Sequence, residues 1–201
     1  MMDARSPENA QSTTRSVIVT ENMTINGVIE FVDPWFDPGK QDDAELLDLQ
    51  RRQMSAETAL LLGRNTFEDF RGYWPEQVDD TSGSADHLDR VAKYLVTATV
   101  TDPGWTNTTV VHPEFLLDSV QRLRSQGSGD IGITGSIQLV HALLAADLVD
   151  ELRLFVYPVV TGRGRSLPPP ELPALDFQLE AQQAFPSGVV YQSYRRPVHR
   201  P

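Results

Sequence analysis

Apolar and polar positions along the chain form segments with the lengths of strands and helices. The run 59–62 is apolar without interruption, which is typical of a strand covered on both faces. The predicted strands are 16–20, 59–62, 91–97, 109–112, 131–134, 151–160, 177–184 and 189–195. One predicted helix begins at Asp42 and Asp43, and helical spacing of apolar residues predicts others over 67–70, 113–125 and 137–146.

Strand and helix alternate through the middle of this pattern, and the last two strands flank a turn at 186–188. The order predicts an α/β fold of three layers (α/β/α), in which helices cover both faces of a mostly parallel sheet that ends in an antiparallel hairpin. Residues 16–196 are predicted to form a single domain. Residues 1–15 are expected to be a disordered tail, and 197–201 a C-terminal tail.

Composition excludes several classes of protein. The 201 residues include no cysteine, which removes thiol catalysis, disulfides and cysteine-ligated zinc. A formal net charge of -11 argues against a general nucleic-acid binder, because such proteins rely on clustered lysine and arginine. No apolar run approaches the roughly 20 residues that span a bilayer, and 1–15 lacks the apolar stretch of a signal peptide. We therefore expect a cytoplasmic protein that binds neither nucleic acid nor a membrane.

Two turns that follow predicted strands are candidate phosphate sites. Gly63-Arg64-Asn65-Thr66 ends a buried strand and can begin a helix whose backbone N–H groups point at an anion, and Arg64 adds a planar fork for phosphate. Gly135-Ser136 precedes a helix in the same way. From spacing alone, an ordinary capped helix with an exposed arginine remains the commoner explanation of the first turn. Both turns together, on strands that could lie side by side, favour a nucleotide.

Other motifs indicate less. The G-x-G-x-x-G sequence at 127–132 follows a predicted helix and opens a strand, the reverse of the dinucleotide-binding context, so it predicts a loop. None of the four histidines has a partner at metal-ligand spacing, so no metal site is expected. Carboxylates cluster around the start of the first predicted helix, where such acids are usually solvated or cap the helix: Asp33, Asp37, Asp42 and Asp43.

Four stretches together resemble the dihydrofolate-reductase-like superfamily, in its bacterial RibD C-terminal-like (pyrimidine reductase-like) branch. They are Thr24-Ile25-Asn26-Gly27-Val28-Ile29, Leu61-Leu62-Gly63-Arg64-Asn65-Thr66-Phe67, Gly135-Ser136-Ile137-Gln138-Leu139 and Val149-Asp150-Glu151-Leu152-Arg153-Leu154. Each stretch is loose alone, but their order and spacing are specific over nearly the whole chain. The resemblance implies a central eight-stranded sheet, an NADPH cofactor and a homodimer.

The resemblance also implies the cofactor-binding residues. By the part of the cofactor that they match, these are Arg64 and Thr66 at the adenosine 2′-phosphate, Thr97 and Ala98 on the adenine side, Gly63 at the strand end, Gly135, Ser136 and Ile137 at the pyrophosphate, and Asn22 and Ile29 beside the nicotinamide. Trp35, in a stretch that looks like the mobile substrate loop, and Phe67 are the implied substrate contacts.

The chain differs from folate reductases at two positions. Ser136 replaces the second glycine of the cofactor loop, and Lys40 stands at the spacing from Trp35 where folate reductases place an acid. Both differences argue against folate as the substrate. Asp37 or Asp42 is the catalytic candidate for handling the proton.

The leading hypothesis is therefore an NADPH-dependent oxidoreductase. It would transfer a hydride to a C=N or C=O bond of a small pterin-like or ribosylated pyrimidine substrate, as in riboflavin biosynthesis. Two alternatives stay open at this point. One is a reductase of an unrelated small carbonyl or imine, and the other is a non-catalytic nucleotide-binding protein with the same fold.

Overall fold

A computed structural model of the protein describes residues 14–197. Within this range the strands are β1 (Val17–Thr24), β2 (Glu57–Gly63), β3 (Ala92–Val96), β4 (Thr108–Val111), β5 (Asp130–Thr134), β6 (Glu151–Tyr157), β7 (Gln178–Ala184) and β8 (Val190–Arg195). The α-helices are α1 (Ala44–Ala56), α2 (Arg64–Tyr73), α3 (Ser84–Arg90), α4 (Leu116–Ser125) and α5 (Ile137–Ala145). Short 3-10 turns precede α1 and α4 and follow α2.

All eight strands form one sheet in the order β4-β3-β2-β5-β1-β6-β8-β7. The six strands from β4 to β6 run parallel, and β8 is antiparallel to both of its neighbours. This arrangement confirms the predicted mostly parallel sheet with a terminal hairpin. Because β5 lies between β2 and β1, the carboxyl ends of these three strands are side by side.

Side-chain alternation along the strands supplies an apolar surface on each face of the sheet. On one face Val19, Leu61 and Ile133 pack with α4 and α5. On the other face Leu60 and Leu62 pack with Phe67 of α2 and Leu88 of α3, while Leu46 of α1 packs with Phe155 and Tyr191. Helices therefore cover both faces, as the three-layer prediction requires.

The structure differs from the predicted elements where polar residues interrupt the pattern. Helix α3 was not predicted, because Leu88 is its only buried residue. A polar network begins it instead: the carboxylate of Asp80 accepts hydrogen bonds from the backbone N–H groups of Ser82 and Ala85. Strand β1 continues past the predicted end at residue 20 to Thr24, and it includes the buried polar residue Glu21.

The described residues include Arg15, which precedes the predicted domain boundary. Arg15, assigned to the tail by the sequence, is only 8% exposed. Its guanidinium donates to the Gly129 carbonyl at 3.0 Å and to Thr58 Oγ1 at 2.7 Å, which joins the chain start to the turn before β5. Arg15 therefore packs with the domain, and 1–13 and 198–201 of the predicted tails lie outside the described residues.

Candidate cofactor and substrate site

The first turns of α2 and α5 meet at the carboxyl edge of the sheet. The Gly63 N–H donates to Ser136 Oγ at 2.8 Å, which ties the end of β2 to the start of α5. Gly135 has a φ of +65°, and a Cβ at this position would lie 3.2 Å from Thr66 Cγ2. The structure thus brings together Gly63, Thr66, Gly135 and Ser136. Two helix N-termini side by side form a surface suited to an anion.

Arg64 lies at the outer side of this surface, in the first turn of α2. Its side chain is exposed and pairs with Glu68 one turn later, with Nη1 3.1 Å from Oε2. Exposed i,i+4 pairs contribute only about 0.3–0.5 kcal/mol, so a bound phosphate can replace Glu68 at little cost. The arrangement keeps Arg64 available as the predicted partner of a 2′-phosphate.

Thr97 follows β3 next to the same edge, since Gly63 pairs with Val96 in the sheet register. The threonine is buried and its Oγ1 accepts the Thr99 N–H at 3.2 Å, so it holds the turn rather than pointing at a ligand. Ala98 is exposed beside it. The pair therefore shapes the flank of the anion surface.

A cavity of about 560 Å³ opens from this surface toward α1 and α3. Its floor is formed by strand residues, its walls by α1, α2 and α3, and its mouth by Phe31, Phe36 and Pro38. Asn22, Thr66 and Gly135 are the predicted cofactor residues that line it. A volume of this size suits a small-molecule site.

Asn22 lines this cavity and carries a hydrogen-bonding atom without a partner. Its Oδ1 is buried and has no hydrogen-bond partner. Buried polar atoms are normally paired, so an unpaired acceptor lining a cavity is suited to an N–H donor from a ligand. A nicotinamide carboxamide carries such a donor, so the residues present fit the cofactor that the family resemblance implies.

Glu21 is a buried acid that the sequence analysis missed. It is 2% exposed, and its Oε1 accepts the Gly135 N–H at 2.8 Å, so it holds the turn before α5. Burial raises the pKa of Glu21 to about 8, against the smaller lowering effect of that hydrogen bond. At neutral pH the carboxyl is mostly protonated. The one available signal was that Glu21 is the only charged residue of β1.

The inner end of the cavity contains three further residues that were not predicted. Glu57 Oε2 lies 2.7 Å from His87 Nε2, and both side chains are mostly buried. Arg153 lines the cavity from β6 and pairs with Glu151 at 2.6 Å and with Asp130 at 3.5 Å. These residues are 30 or more positions apart in the sequence, so no local motif indicated them.

The predicted catalytic acids lie at the margin. Asp37 and Asp42 are exposed and do not line the cavity. Asp37 accepts the Gly39 N–H at 3.0 Å and so begins the turn Pro38–Lys40. Neighbouring residues Pro38 and Gln41 do line the cavity, so the segment that carries both acids flanks the site.

The remaining predicted residues pack away from the cavity. Phe67 is 1% exposed and lies in the core with Leu60 and Leu62, so its assignment as a substrate contact is corrected to a core residue. Ile29 and Ile137 are also buried in the core, on the opposite face of the sheet. Trp35 packs against Phe31, with 4.9 Å between ring centroids, and Phe31 rather than Trp35 lines the cavity.

The described part of the chain has neither a metal-ligand cluster nor a membrane-spanning helix. No group of three or more His, Asp or Glu residues between 14 and 197 is arranged to hold a metal ion. Over the same residues, no helix has the length and apolar character needed to cross a membrane.

The architecture is that of dihydrofolate reductase and its relatives. Dihydrofolate reductase from Enterococcus faecalis, in complex with NADP(H), matches with a TM-score of 0.58 at 17% identity, covering 90% of this chain and 96% of that one. A putative riboflavin biosynthesis protein from Shewanella sp. PV-4 matches with a TM-score of 0.66 at 19% identity, covering 90% and 99%. A pyrimidine reductase-like protein from Corynebacterium diphtheriae matches with 0.61 at 16% identity, covering 90% and 91%.

Sequence comparison narrows this class to a family. The family model of the RibD C-terminal domain matches residues 15–191, so the chain belongs to that family. An uncharacterized protein of Bacillus subtilis (strain 168), YyaP, is 27% identical over 191 residues, which cover 90% of this chain and 94% of that protein.

Proposed function

We propose that the protein is an NADPH-dependent reductase that acts on a small molecule in the cytoplasm. Membership of the RibD C-terminal domain family and the dihydrofolate-reductase-like fold support a reductase. The observation that carries the proposal is the joint surface of the α2 and α5 N-termini, which leads into a cavity lined by Asn22, whose buried Oδ1 has no partner. With its pyrophosphate at the helix N-termini and its nicotinamide in the cavity, a dinucleotide would lie along the carboxyl edge of the sheet.

Each part of the site has a separate task in this proposal. Arg64 and Thr66 hold the 2′-phosphate, while Gly135 and Ser136 allow the pyrophosphate to approach the backbone. NADPH supplies the hydride. The cavity holds the substrate carbon against the nicotinamide and limits access of water, which is how a protein contributes to hydride transfer. Asp37 and Asp42 are the proposed proton donors. For either of them to reach the substrate, the segment that contains Pro38 and Gln41 would have to move toward the cavity.

The substrate that we propose carries a C=N or C=O bond in a pterin-like or ribosylated pyrimidine ring. The structural similarity to a putative riboflavin biosynthesis protein and to a pyrimidine reductase-like protein supports this choice. The cavity mouth supports it as well, because the rings of Phe31 and Phe36 stack there with centroids 4.9 Å apart. A small carbonyl or imine remains the alternative. We also propose, from the family resemblance, that the protein forms a homodimer.

Replacement of Arg64 by alanine tests the cofactor assignment. We expect wild-type protein to prefer NADPH over NADH by about tenfold to a hundredfold, because a charge-assisted contact to the 2′-phosphate contributes about 1.5–3 kcal/mol. In Arg64→Ala this preference should fall to near unity through weaker NADPH binding, with NADH binding unchanged. The measurement is quenching of tryptophan fluorescence, for which Trp74 lies in the cavity wall.

Arg71→Ala is the matched control, since Arg71 is exposed on the same helix and donates to the Pro103 carbonyl. It should keep the wild-type preference. An unchanged preference in Arg64→Ala would contradict the position of the 2′-phosphate. Failure of wild-type protein to bind either nucleotide would contradict the reductase proposal itself.

A further inference from the structure

Among the side chains that the structure describes, the inner end of the cavity has no arginine or lysine that is free to bind an anionic group. Arg153 is the one arginine or lysine that lines the cavity among the described residues. Its guanidinium binds Glu151 through Nε at 2.6 Å and approaches Asp130 at 3.5 Å. Arg195 adds a second positive charge to Glu151, with 2.5 Å between Nη2 and Oε2. Because Arg195 also pairs with Glu180 at 3.0 Å, the two arginines face three carboxylates, and the positive charge of Arg153 is already neutralised.

A carboxylate, by contrast, is held on the cavity floor. Glu57 begins β2, and its side chain lies directly over Gly132 of β5, because a Cβ on Gly132 would be only 1.6 Å from Glu57 Oε1. Glycine at position 132 is what allows the carboxylate to reach the centre of the sheet. His87 fixes the other oxygen at 2.7 Å, and the Glu57 side chain is 18% exposed. The carboxylate is thus positioned before any ligand arrives.

The rest of the lining also favours ligands that donate hydrogen bonds. Asn22 Oδ1 is an unpaired acceptor, and Gln50 and Gln53 of α1 add amide groups to the wall that can accept as well as donate. The stacked rings of Phe31 and Phe36 at the mouth suit a flat group. Acceptors and aromatic surface therefore predominate over cations.

Cations do occur beyond the Glu57–His87 pair. Arg51 and Arg90 line a second cavity of about 670 Å³, which shares Glu57 and His87 with the first. Both arginines are exposed, and they donate to the Thr81 and Asp86 carbonyls. Their charges are screened by solvent and separated from the floor by the pair. They do not offset the acceptor character of the inner end.

We infer that the inner end of the cavity binds a planar substrate group through N–H donors or a positive charge, with Glu57 as the acceptor, and that it excludes phosphate and carboxylate. This inference deepens the proposed function, on which it rests for the identity of the bound group as the one reduced. A substrate with a phosphorylated sugar would leave its phosphate outside this cavity. Amidine-like, amino-substituted or protonated imine groups fit it.

Three probes of nearly equal shape and different charge test this inference: benzamidine, benzamide and benzoate. Each is titrated into nucleotide-free protein and followed by two-dimensional ¹H–¹⁵N spectra. We expect benzamidine to bind at least about tenfold more tightly than benzoate, since charge-assisted hydrogen bonds are roughly twice as strong as neutral ones. Its shifts should include the Gly132 and His87 amides. Benzamide should fall between the two.

Variants distinguish a direct contact with Glu57 from a general attraction of cations to the negatively charged protein. Glu57→Gln, which keeps the shape, should reduce the difference between benzamidine and benzamide to less than about twofold. Gly132→Ala should do the same, because the added methyl group displaces the carboxylate. Glu45→Gln, an exposed change on α1, should retain the wild-type order.

Three results would overturn the inference: benzoate binding as tightly as benzamidine, an unchanged preference in Glu57→Gln, or no binding of any probe. The failure of this inference is distinguishable from that of the proposed function. NADPH binding without selectivity among the three probes would contradict the inferred role of Glu57 and leave the proposed reductase function standing. Selective benzamidine binding without NADPH binding would support the inferred selectivity of the cavity and contradict the proposed reductase function.

Discussion

Gly135→Ala is expected to weaken NADPH binding by roughly a hundredfold, or about 2.8 kcal/mol at 1.4 kcal/mol per factor of ten. The substitution places a methyl group 3.2 Å from Thr66 Cγ2, in the space where the pyrophosphate would approach the backbone between α2 and α5. The φ of +65° adds strain for any residue with a Cβ, at a cost of about 1–2 kcal/mol. Calorimetric titration with NADPH measures the loss of affinity.

A suitable control is a glycine-to-alanine substitution that introduces similar backbone strain at a position far from the cofactor site. Gly188, in the turn of the β7–β8 hairpin, has a φ of +84°, and a Cβ there would meet only Pro158, at 3.4 Å. Gly188→Ala should lose stability in chemical denaturation yet bind NADPH as wild type does. Equal NADPH affinity in Gly135→Ala and Gly188→Ala would contradict the placement of the pyrophosphate.

Glu21→Gln is expected to raise the stability of the protein at pH 8 by several kcal/mol. The folded-state pKa of Glu21 is raised by burial to about 8, whereas an unfolded chain releases this proton near pH 4.3. The folded state therefore binds more protons between these values. Its stability is greatest below about pH 4.3 and falls by up to about 1.4 kcal/mol per pH unit until the pH passes the folded pKa.

Glutamine has the same shape, accepts the Gly135 N–H and does not titrate, so the variant should lack this decline. Urea unfolding of both proteins at pH 5, 6, 7 and 8 measures the difference, which should widen with pH in favour of Glu21→Gln. Glu76→Gln, at an exposed residue that does not line the cavity, should follow the wild-type curve. A constant difference across the pH range would show that Glu21 is ionised in the folded protein.

The fold could be predicted largely from the sequence because most of its signals are local. The apolar run within β2 indicated a strand buried on both faces, and Leu60, Leu61 and Leu62 are at most 3% exposed. The turns at Gly63 and Gly135 were recognised because glycine followed by a helix start is visible in a few consecutive residues. Helix α3 was missed because a polar network around Asp80, rather than an apolar stripe, begins it.

The cavity could be predicted only in part, because its chemistry depends on residues that are distant in the sequence. The Glu57 carboxylate is positioned by His87, 30 positions later in the sequence, and by the space above Gly132 on a neighbouring strand. Glu21 becomes unusual only when it is buried against Gly135. Asp37 and Asp42 drew attention as a local cluster of acids, yet the fold leaves both of them exposed.

The central claim is that a dinucleotide binds across the N-termini of α2 and α5, with its nicotinamide toward Asn22. A crystal structure of the protein with NADP⁺ tests this claim most directly. We expect the pyrophosphate against the backbone of Gly135 and Ser136, the 2′-phosphate on Arg64 in place of Glu68, and the carboxamide donating to Asn22 Oδ1. NADP⁺ bound at another edge of the sheet, or with its nicotinamide outside the cavity, would contradict it.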